Sequence, residues 1–209
     1  MKLSLSRRSF SRRSLAMLAA GATAPDLAAL AGFSKSAHAA IHLPDASSGW
    51  NQTMPIPAPE FHFMDQEGRR LTLAHYHGTG LIVNFWATWC PPCRAELPTL
   101  LALNKSLHGT GIRVLLISVD SSGAQVVRPF FERHHITGMP MLIDPNSSAL
   151  TAFDTSGIPF TAVVNRNGLI AATLEGAGDW NTPTTIAAIK HIMGPTQPKP
   201  KPKPKLTAT

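Results

Sequence analysis

Residues 83–98 of this chain read VNFWATWCPPCRAELP, and their pattern is the most informative about its fold. This stretch begins inside a strongly apolar run, residues 81–86, that predicts a buried β-strand. Two prolines separate Cys90 from Cys93, and a helical pattern follows over residues 92–107. The cysteine pair therefore lies where a buried strand gives way to a helix, which is far more specific than a Cys-x-x-Cys pattern alone.

This position at a helix start predicts redox chemistry for the pair. The first turn of a helix presents unpaired N–H groups and the positive end of the helix dipole, and both stabilise a thiolate. Cys90 is thus the predicted nucleophile, which forms a mixed disulfide with a partner protein, and Cys93 resolves it. Because Pro91 and Pro92 carry no N–H, the amide of Cys93 is the local donor best placed for the Cys90 sulfur.

Three other roles for the pair compete with this interpretation. A zinc site needs two further ligands from His or acidic residues. A c-type haem site needs His after the second cysteine, where Arg94 stands. A purely structural disulfide is disfavoured because so short a loop constrains the unfolded chain very little.

Charge and cysteine content exclude several classes of protein. The 209 residues carry a formal net charge of +7, but residues 1–39 hold +5 and residues 195–209 hold +4, whereas residues 40–194 hold −2. A basic face on the folded part finds no support, so no nucleic-acid partner is expected. Two cysteines are too few for a disulfide scaffold or a Cys-only zinc site.

Residues 1–39 are predicted to be an export signal. Arg12 and Arg13 resemble the pair of a twin-arginine signal, a modestly apolar Ala-rich stretch follows, and cleavage is expected after Ala39. An uncleaved membrane anchor is the alternative, which Pro25 and Asp26 within that stretch disfavour. The predicted location is the bacterial periplasm.

Composition divides the rest of the chain into three parts. Residues 40–56 are rich in proline and serine and are predicted to be an extended lead-in. Residues 57–194 form the predicted domain. Residues 195–209 contain a Pro-Lys repeat, for which we expect a disordered, solvated tail. The alternative for the tail is weak contact with an anionic membrane surface.

Within the domain, short apolar runs alternate with helical patterns. Continuous apolar strands separated by helices predict an α/β fold, a mixed sheet with a parallel centre covered on both faces and an antiparallel hairpin near the end. The predicted strands are residues 61–64, 71–73, 81–86, 112–119, 141–143, 160–165 and 169–174, and the predicted helices are residues 92–107, 124–135 and 184–193.

Residues 83–98 resemble the active-site segment of the thioredoxin superfamily, and specifically its exported TlpA/ResA-like branch. Residues 57–61 are similar to the opening of that family, residues 117–120 to its second central strand, and residues 157–159 to its cis-proline loop. The resemblance extends over residues 57–193. It implies a thioredoxin-like fold, a central mixed sheet flanked by helices with an N-terminal β-hairpin extension, and no cofactor or metal beyond the redox-active cysteines.

The resemblance also implies site residues. Pro159 is expected to be cis and to lie against the cysteines, with the Ile158 backbone free to pair with an incoming peptide strand; without the resemblance, Pro159 is a proline at a strand start. Glu96 matches an active-site glutamate of the branch and is expected to exchange protons with the cysteine pair, the alternative being an exposed helix acid. Asn84 stands where thioredoxins proper have a buried Asp.

The surroundings of the disulfide are expected to contact client proteins. Trp89, immediately before Cys90, is predicted to shield the disulfide and to offer an apolar rim, together with Pro91 and Pro92. Trp86 is instead expected to pack inside the fold.

These expectations combine into a periplasmic thiol-disulfide oxidoreductase. The two residues between the cysteines include no His that would stabilise the Cys90 thiolate. We therefore expect the protein to reduce its clients and to be kept reduced by a membrane electron donor. The clients expected from the resemblance are cysteines of apocytochrome c or of copper sites. Two alternatives remain: a thiol peroxidase, and a copper-handling protein on the same fold. A soft-metal patch would suit the latter, formed by His134, His135, Met139 and Met141.

Overall fold

The structure, a computed structural model of the chain, describes residues 43–52 and 54–194. The predicted export signal and the Pro-Lys tail lie outside these residues. Within the described ranges, no helix is both long and apolar enough to cross a membrane.

One eight-stranded sheet forms the centre of the domain. Its strands are Ile56–Pro57 (β1), Phe63–Met64 (β2), Arg70–Leu71 (β3), Gly80–Trp86 (β4), Ile112–Ser118 (β5), Leu142–Ile143 (β6), Phe160–Val164 (β7) and Leu169–Glu175 (β8). They lie in the order β1-β8-β7-β4-β5-β6-β2-β3. The pairs β4·β5 and β5·β6 are parallel, and the other pairs are antiparallel. The parallel centre and the hairpin of β7 with β8 are as predicted.

Strand β4 positions the site. All seven of its residues are buried, as expected for a central strand covered on both faces. Asn84 is its one polar side chain and lies opposite Leu116 of β5 and Thr161 of β7. The strand ends at Trp86, whose ring packs against Phe130. Trp86 therefore belongs to the core as predicted, and the cysteine loop begins directly after a buried residue.

Among the described residues, four α-helices flank the sheet: Pro91–Ser106 (α1), Ala124–Arg133 (α2), Ser148–Ala152 (α3) and Pro183–Met193 (α4). Helix α1 buries Cys93, Glu96, Leu97, Leu100 and Leu103, the spacing of a single helix face. The sequence predicted three of the helices and missed α3. Five residues are too few to show a helical period, and α3 depends on Asp144, whose carboxylate accepts the N–H of Ala149 at 2.7 Å.

The predicted N-terminal hairpin is present. β2 and β3 pair antiparallel, with Phe63 opposite Leu71. β2 also pairs with β6, which adds the hairpin to one edge of the sheet, while β1 pairs with β8 at the other edge.

The lead-in is more structured than its composition indicates. Within the predicted extended segment, a 3-10 helix spans Ala46–Gly49, and the Asp45 side chain caps it by accepting the N–H of Ser47. Two bridges tie the segment to the domain: Asp45 pairs with Asp179, and Asn51 pairs with Thr173. We call residues 44–51 the N-terminal strap. Its partners lie more than 100 residues away, so local composition did not predict its contacts.

Candidate active site

The cysteine pair begins helix α1. Cys90 is the residue that caps the helix, and its sulfur accepts the backbone N–H of Cys93 at 3.3 Å. A disulfide joins the two cysteines. Pro91 and Pro92 occupy the first turn and are exposed. Cys93 is fully buried and Cys90 is 3% exposed, so the Cys90 sulfur is the one nearer to solvent.

A buried carboxylate holds the loop that precedes Cys90. Asp120 follows strand β5 and is 2% exposed. It accepts the backbone N–H of Thr88 at 2.9 Å and the Thr88 hydroxyl at 2.7 Å. The Ser118 hydroxyl donates to the same carboxylate at 2.7 Å. These bonds join the carboxyl ends of β4 and β5 and fix where the cysteine loop leaves the sheet.

The loop before β7 lies against the cysteines. The Ile158–Pro159 peptide bond is cis, as the resemblance implies. The carbonyl oxygen of Ile158 lies 3.9 Å from the Cys90 sulfur. Trp89, which directly precedes Cys90, is 66% exposed, so its indole offers an apolar surface to solvent.

Glu96 lies one helical turn beyond Cys93 and is fully buried. One carboxylate oxygen, Oε1, accepts from the Asn84 side chain at 2.8 Å. The other, Oε2, accepts the backbone N–H of Gly178 and the indole N–H of Trp180, each at 3.1 Å. The alternative of an exposed helix acid is therefore wrong for Glu96.

Burial raises the pKa of Glu96 from 4.5 to about 7, against the opposing effect of its three donors. Removing the carboxylate from water disfavours its charged form, and the hydrogen bonds recover part of that loss. A carboxyl group that titrates near neutrality both accepts and releases a proton readily at physiological pH.

Asn84 links Glu96 to the sheet. Its side-chain NH₂ group donates to Glu96 and also to the Thr161 hydroxyl at 2.9 Å. Its Oδ1 atom is buried without a hydrogen-bond partner among the described residues. This orientation suits an ionised Glu96, which needs donors. Rotation of the amide would turn Oδ1 toward Glu96. There Oδ1 would accept a hydrogen bond from the O–H of a protonated Glu96.

Of the four residues predicted as a soft-metal patch, His135, Met139 and Met141 line one cavity. The His134 ring packs on Phe130 with 4.2 Å between centroids, and Met141 is part of the core. No group of three or more His, Cys, Asp or Glu side chains that could hold a metal ion occurs in the part of the chain that the structure describes.

Comparison with known proteins agrees with this geometry. The sequence profile of the AhpC/TSA family matches residues 56–173, more than half of the chain. The chain belongs to the AhpC/TSA family. Its fold is thioredoxin-like, and the protein is a thiol-disulfide oxidoreductase.

Two relatives and one solved structure similar to this chain are named as thiol-disulfide oxidoreductases or interchange proteins. The thiol-disulfide oxidoreductase ResA of Geobacillus thermodenitrificans is 34% identical over 119 residues, 57% of this chain and 67% of that protein. The ResA of Bacillus subtilis is 30% identical over 119 residues, 57% of this chain and 65% of that protein. The chain thus spans about two thirds of their length. A thiol:disulfide interchange protein of the thioredoxin family from Chlorobium tepidum superposes with a TM-score of 0.55 at 25% identity, covering 69% of this chain and all of that one.

Several residues that shape the site were not found from the sequence. Gly178 and Trp180, two donors to Glu96, lie beyond the residues that match the AhpC/TSA family. Trp180 carried a weak signal, because a tryptophan in an otherwise polar stretch before a helix needs a reason to be there. The sequence marks Asn84 only as standing in place of the buried Asp of thioredoxins proper, whereas in the structure its amide donates to Glu96.

Proposed function

We propose that this AhpC/TSA family member reduces disulfides of client proteins in the periplasm, with Cys90 as nucleophile, Cys93 as resolving thiol and Glu96 as proton acceptor. The observation that carries the proposal is the setting of the Cys90 sulfur. It lies at the start of α1, accepts the Cys93 N–H, and lies 3.9 Å from the Ile158 carbonyl.

The first step is attack on the client. The Cys90 thiolate of the reduced enzyme attacks one sulfur of a client disulfide, and the client S–S bond breaks. A mixed disulfide forms between Cys90 and the client, and the other client sulfur leaves as a thiolate that takes up a proton. The N–H of Cys93 and the positive end of α1 stabilise the Cys90 thiolate before the attack.

The second step releases the client. The Cys93 thiol must lose its proton before it attacks, and it is fully buried, away from bulk water. The Glu96 carboxylate, one turn along the same helix, takes that proton. The Cys93 thiolate then attacks the Cys90 sulfur, the Cys90–Cys93 disulfide forms, and the second client sulfur leaves. The client gains two electrons, and a membrane electron donor restores the enzyme.

The surface around the disulfide supports a protein client. Trp89, Pro91 and Pro92 are exposed next to Cys90 in the chain. The Ile158 carbonyl lies 3.9 Å from the Cys90 sulfur. An extended client segment would pair with the Ile158 backbone, as in strand addition to a sheet edge, while its apolar side chains contact Trp89. Cysteine pairs of apocytochrome c or of copper-site proteins are the proposed clients.

The reduction potential of the Cys90–Cys93 couple tests the direction of electron flow. The full-length protein is equilibrated with glutathione buffers of defined ratio, and Trp89 fluorescence reports the oxidised fraction. A value near or below about −250 mV supports a reductant, whereas a value near about −120 mV would make the protein a disulfide donor and overturn the proposal.

Trapping of a mixed disulfide tests the roles of the two cysteines. Cys93→Ser is expected to accumulate a covalent complex with an oxidised cytochrome c haem-site peptide, because the resolving thiol is missing. Cys90→Ser, the matched control, is expected to form none. Complex formation by Cys90→Ser instead would reverse the two assignments, and consumption of peroxide in place of peptide would favour a peroxidase.

A further inference from the structure

The loop that covers Glu96 is held from outside by the N-terminal strap. Residues 176–182 join β8 to α4 and supply the two donors to Oε2 of Glu96. Asp179 lies between those donors. Its N–H donates to the Pro44 carbonyl at 2.6 Å, and its carbonyl accepts the N–H of Ala46 at 3.0 Å. The backbone between the two donors is therefore paired on both sides with the strap.

Asp45 fastens the strap to helix α4. Its Oδ1 accepts the hydroxyl groups of Ser47 at 2.6 Å and Thr185 at 2.7 Å, and its Oδ2 accepts the hydroxyl of Thr182. Thr182 caps α4, so the carboxylate lies at the positive end of that helix. One side chain thus joins the strap, the end of the covering loop and the first turn of α4.

The N-terminal strap and residues 176–182 are closely packed. A Cβ atom on Gly178 would lie 2.8 Å from the Cα of Ala46, so only glycine permits this approach. Ala46 is 1% exposed and Trp180 is fully buried. Trp50, at the far end of the strap, packs against Trp180 with 6.4 Å between ring centroids. If the strap moved away, Gly178 and Trp180 would lose their outer support and water would reach Glu96.

We propose that Asp45 is a positioning residue for Glu96: it fastens the N-terminal strap over residues 176–182 and so keeps the Gly178 and Trp180 donors on the Glu96 carboxylate and water away from it. The inference rests on the proposed role of Glu96 in proton exchange. The strap and both donors lie outside residues 56–173, the part that matches the AhpC/TSA family.

The groups that contact Glu96 from other elements are neutral. They are the Asn84 amide on β4 and the Gly178 and Trp180 N–H groups of the loop. On its own helix the other titratable groups are Cys93, one turn away, and the exposed Arg94 and Lys105. A change in Glu96 titration after substitution of Asp45 therefore reports hydration and lost donors, and oxidised protein removes the cysteines from the measurement.

The test measures the titration of Glu96 directly. Full-length oxidised protein is labelled with ¹³C at the glutamate carboxyl carbon, and the five glutamates are followed by NMR against pH. Glu96→Gln identifies the Glu96 signal by its loss. In Asp45→Ala the Glu96 midpoint is expected to fall by about one pH unit or more, toward the ordinary value, because burial is the larger influence on it.

Two further variants keep the test decisive. Asp45→Asn retains one acceptor oxygen and is expected to shift the midpoint in the same direction by less; it decides the matter if Asp45→Ala does not fold. Glu132→Ala removes one negative charge from an exposed position on α2 and is expected to leave the midpoint unchanged. An unchanged or raised midpoint in folded Asp45→Ala would overturn the proposal.

A second measurement distinguishes failure of the proposed function from failure of this inference. The rate of client reduction is measured against pH in the same variants. If the Glu96 midpoint falls in Asp45→Ala but the pH profile of the rate stays where it was, the strap positions Glu96 and the proton-exchange role of Glu96 is wrong. If midpoint and profile move together, both hold.

Discussion

Residues 176–182 separate two carboxylates whose pKa values move in opposite directions. On the strap side, hydrogen bonds, above all from Ser47 and then Thr182, lower the pKa of Asp45 to about 2. On the core side, burial raises the pKa of Glu96 to about 7 although three groups donate to it. Both carboxylates accept several hydrogen bonds, so the donors alone do not decide the direction.

Access to water explains the difference. Asp45 is partly exposed, so its charge remains hydrated and each donor adds to that stabilisation. Glu96 is fully buried, and its three donors recover less than the hydration it has lost. A carboxylate on the outside of the loop is thus suited to fastening, and one on the inside is suited to exchanging protons near neutrality.

Replacing the inner carboxylate is expected to have the largest effect. Glu96→Gln keeps the size of the side chain but cannot accept a proton from Cys93. We expect the rate of client reduction to fall on the order of 10²-fold near neutral pH. In the unchanged protein, the rate is expected to rise as Glu96 ionises with a midpoint near pH 7, and this step is expected to vanish in the variant.

Steady-state reduction of a disulfide-containing peptide from pH 5 to 9 checks this expectation. Glu132→Gln, an exposed acid on α2, is the matched control. A Glu96→Gln variant with the normal rate and the normal pH profile would show that another group accepts the proton.

The stability of the oxidised protein is expected to depend on the two carboxylates in two separate pH ranges. The folded-state pKa of Glu96 lies above its ordinary value, so its contribution is complete below about pH 4.5 and is lost as pH rises through about 7. The folded-state pKa of Asp45 lies below its ordinary value, so its contribution is complete above about pH 3.8 and is lost as pH falls toward about 2.

Urea unfolding from pH 2 to 9 measures both changes in the free energy of unfolding. Glu96→Gln is expected to remove the decline on the alkaline side, which amounts to about 3 kcal/mol of the free energy of unfolding. Asp45→Asn is expected to remove the smaller decline on the acid side. If both declines in the free energy of unfolding persist in both variants, the opposite roles of the two carboxylates are wrong.

The smallest effect is expected from Trp180, a donor to Glu96 on the core side of the loop. Trp180→Phe removes one donor to Glu96 while it keeps an aromatic ring at that position. The Trp180 hydrogen bond lowers the pKa of Glu96, so its loss is expected to raise that pKa by roughly half a unit to one unit. This is opposite to the fall expected for Asp45→Ala, and carboxyl NMR distinguishes them. A fall in Trp180→Phe would mean that the smaller ring admits water.

The cysteine site was predictable because its determinants are neighbours in sequence. The apolar run before Cys90, the two prolines and the helical pattern after Cys93 specify a strand, a loop and a capped helix start. The position of Glu96 followed from helical spacing. Its complete burial did not, because Gly178 and Trp180 contact it from more than 80 positions further along the chain.

The α/β architecture, the cysteine pair at a helix start and the helix face that carries Glu96 were readable in the amino-acid sequence, since hydrophobic period and helix capping act over a few residues. The raised pKa of Glu96 and the contact of the strap with the loop that covers it depend instead on the folded chain. Burial and hydrogen-bond partners come from segments distant in sequence, and no local pattern specifies which segment will supply them.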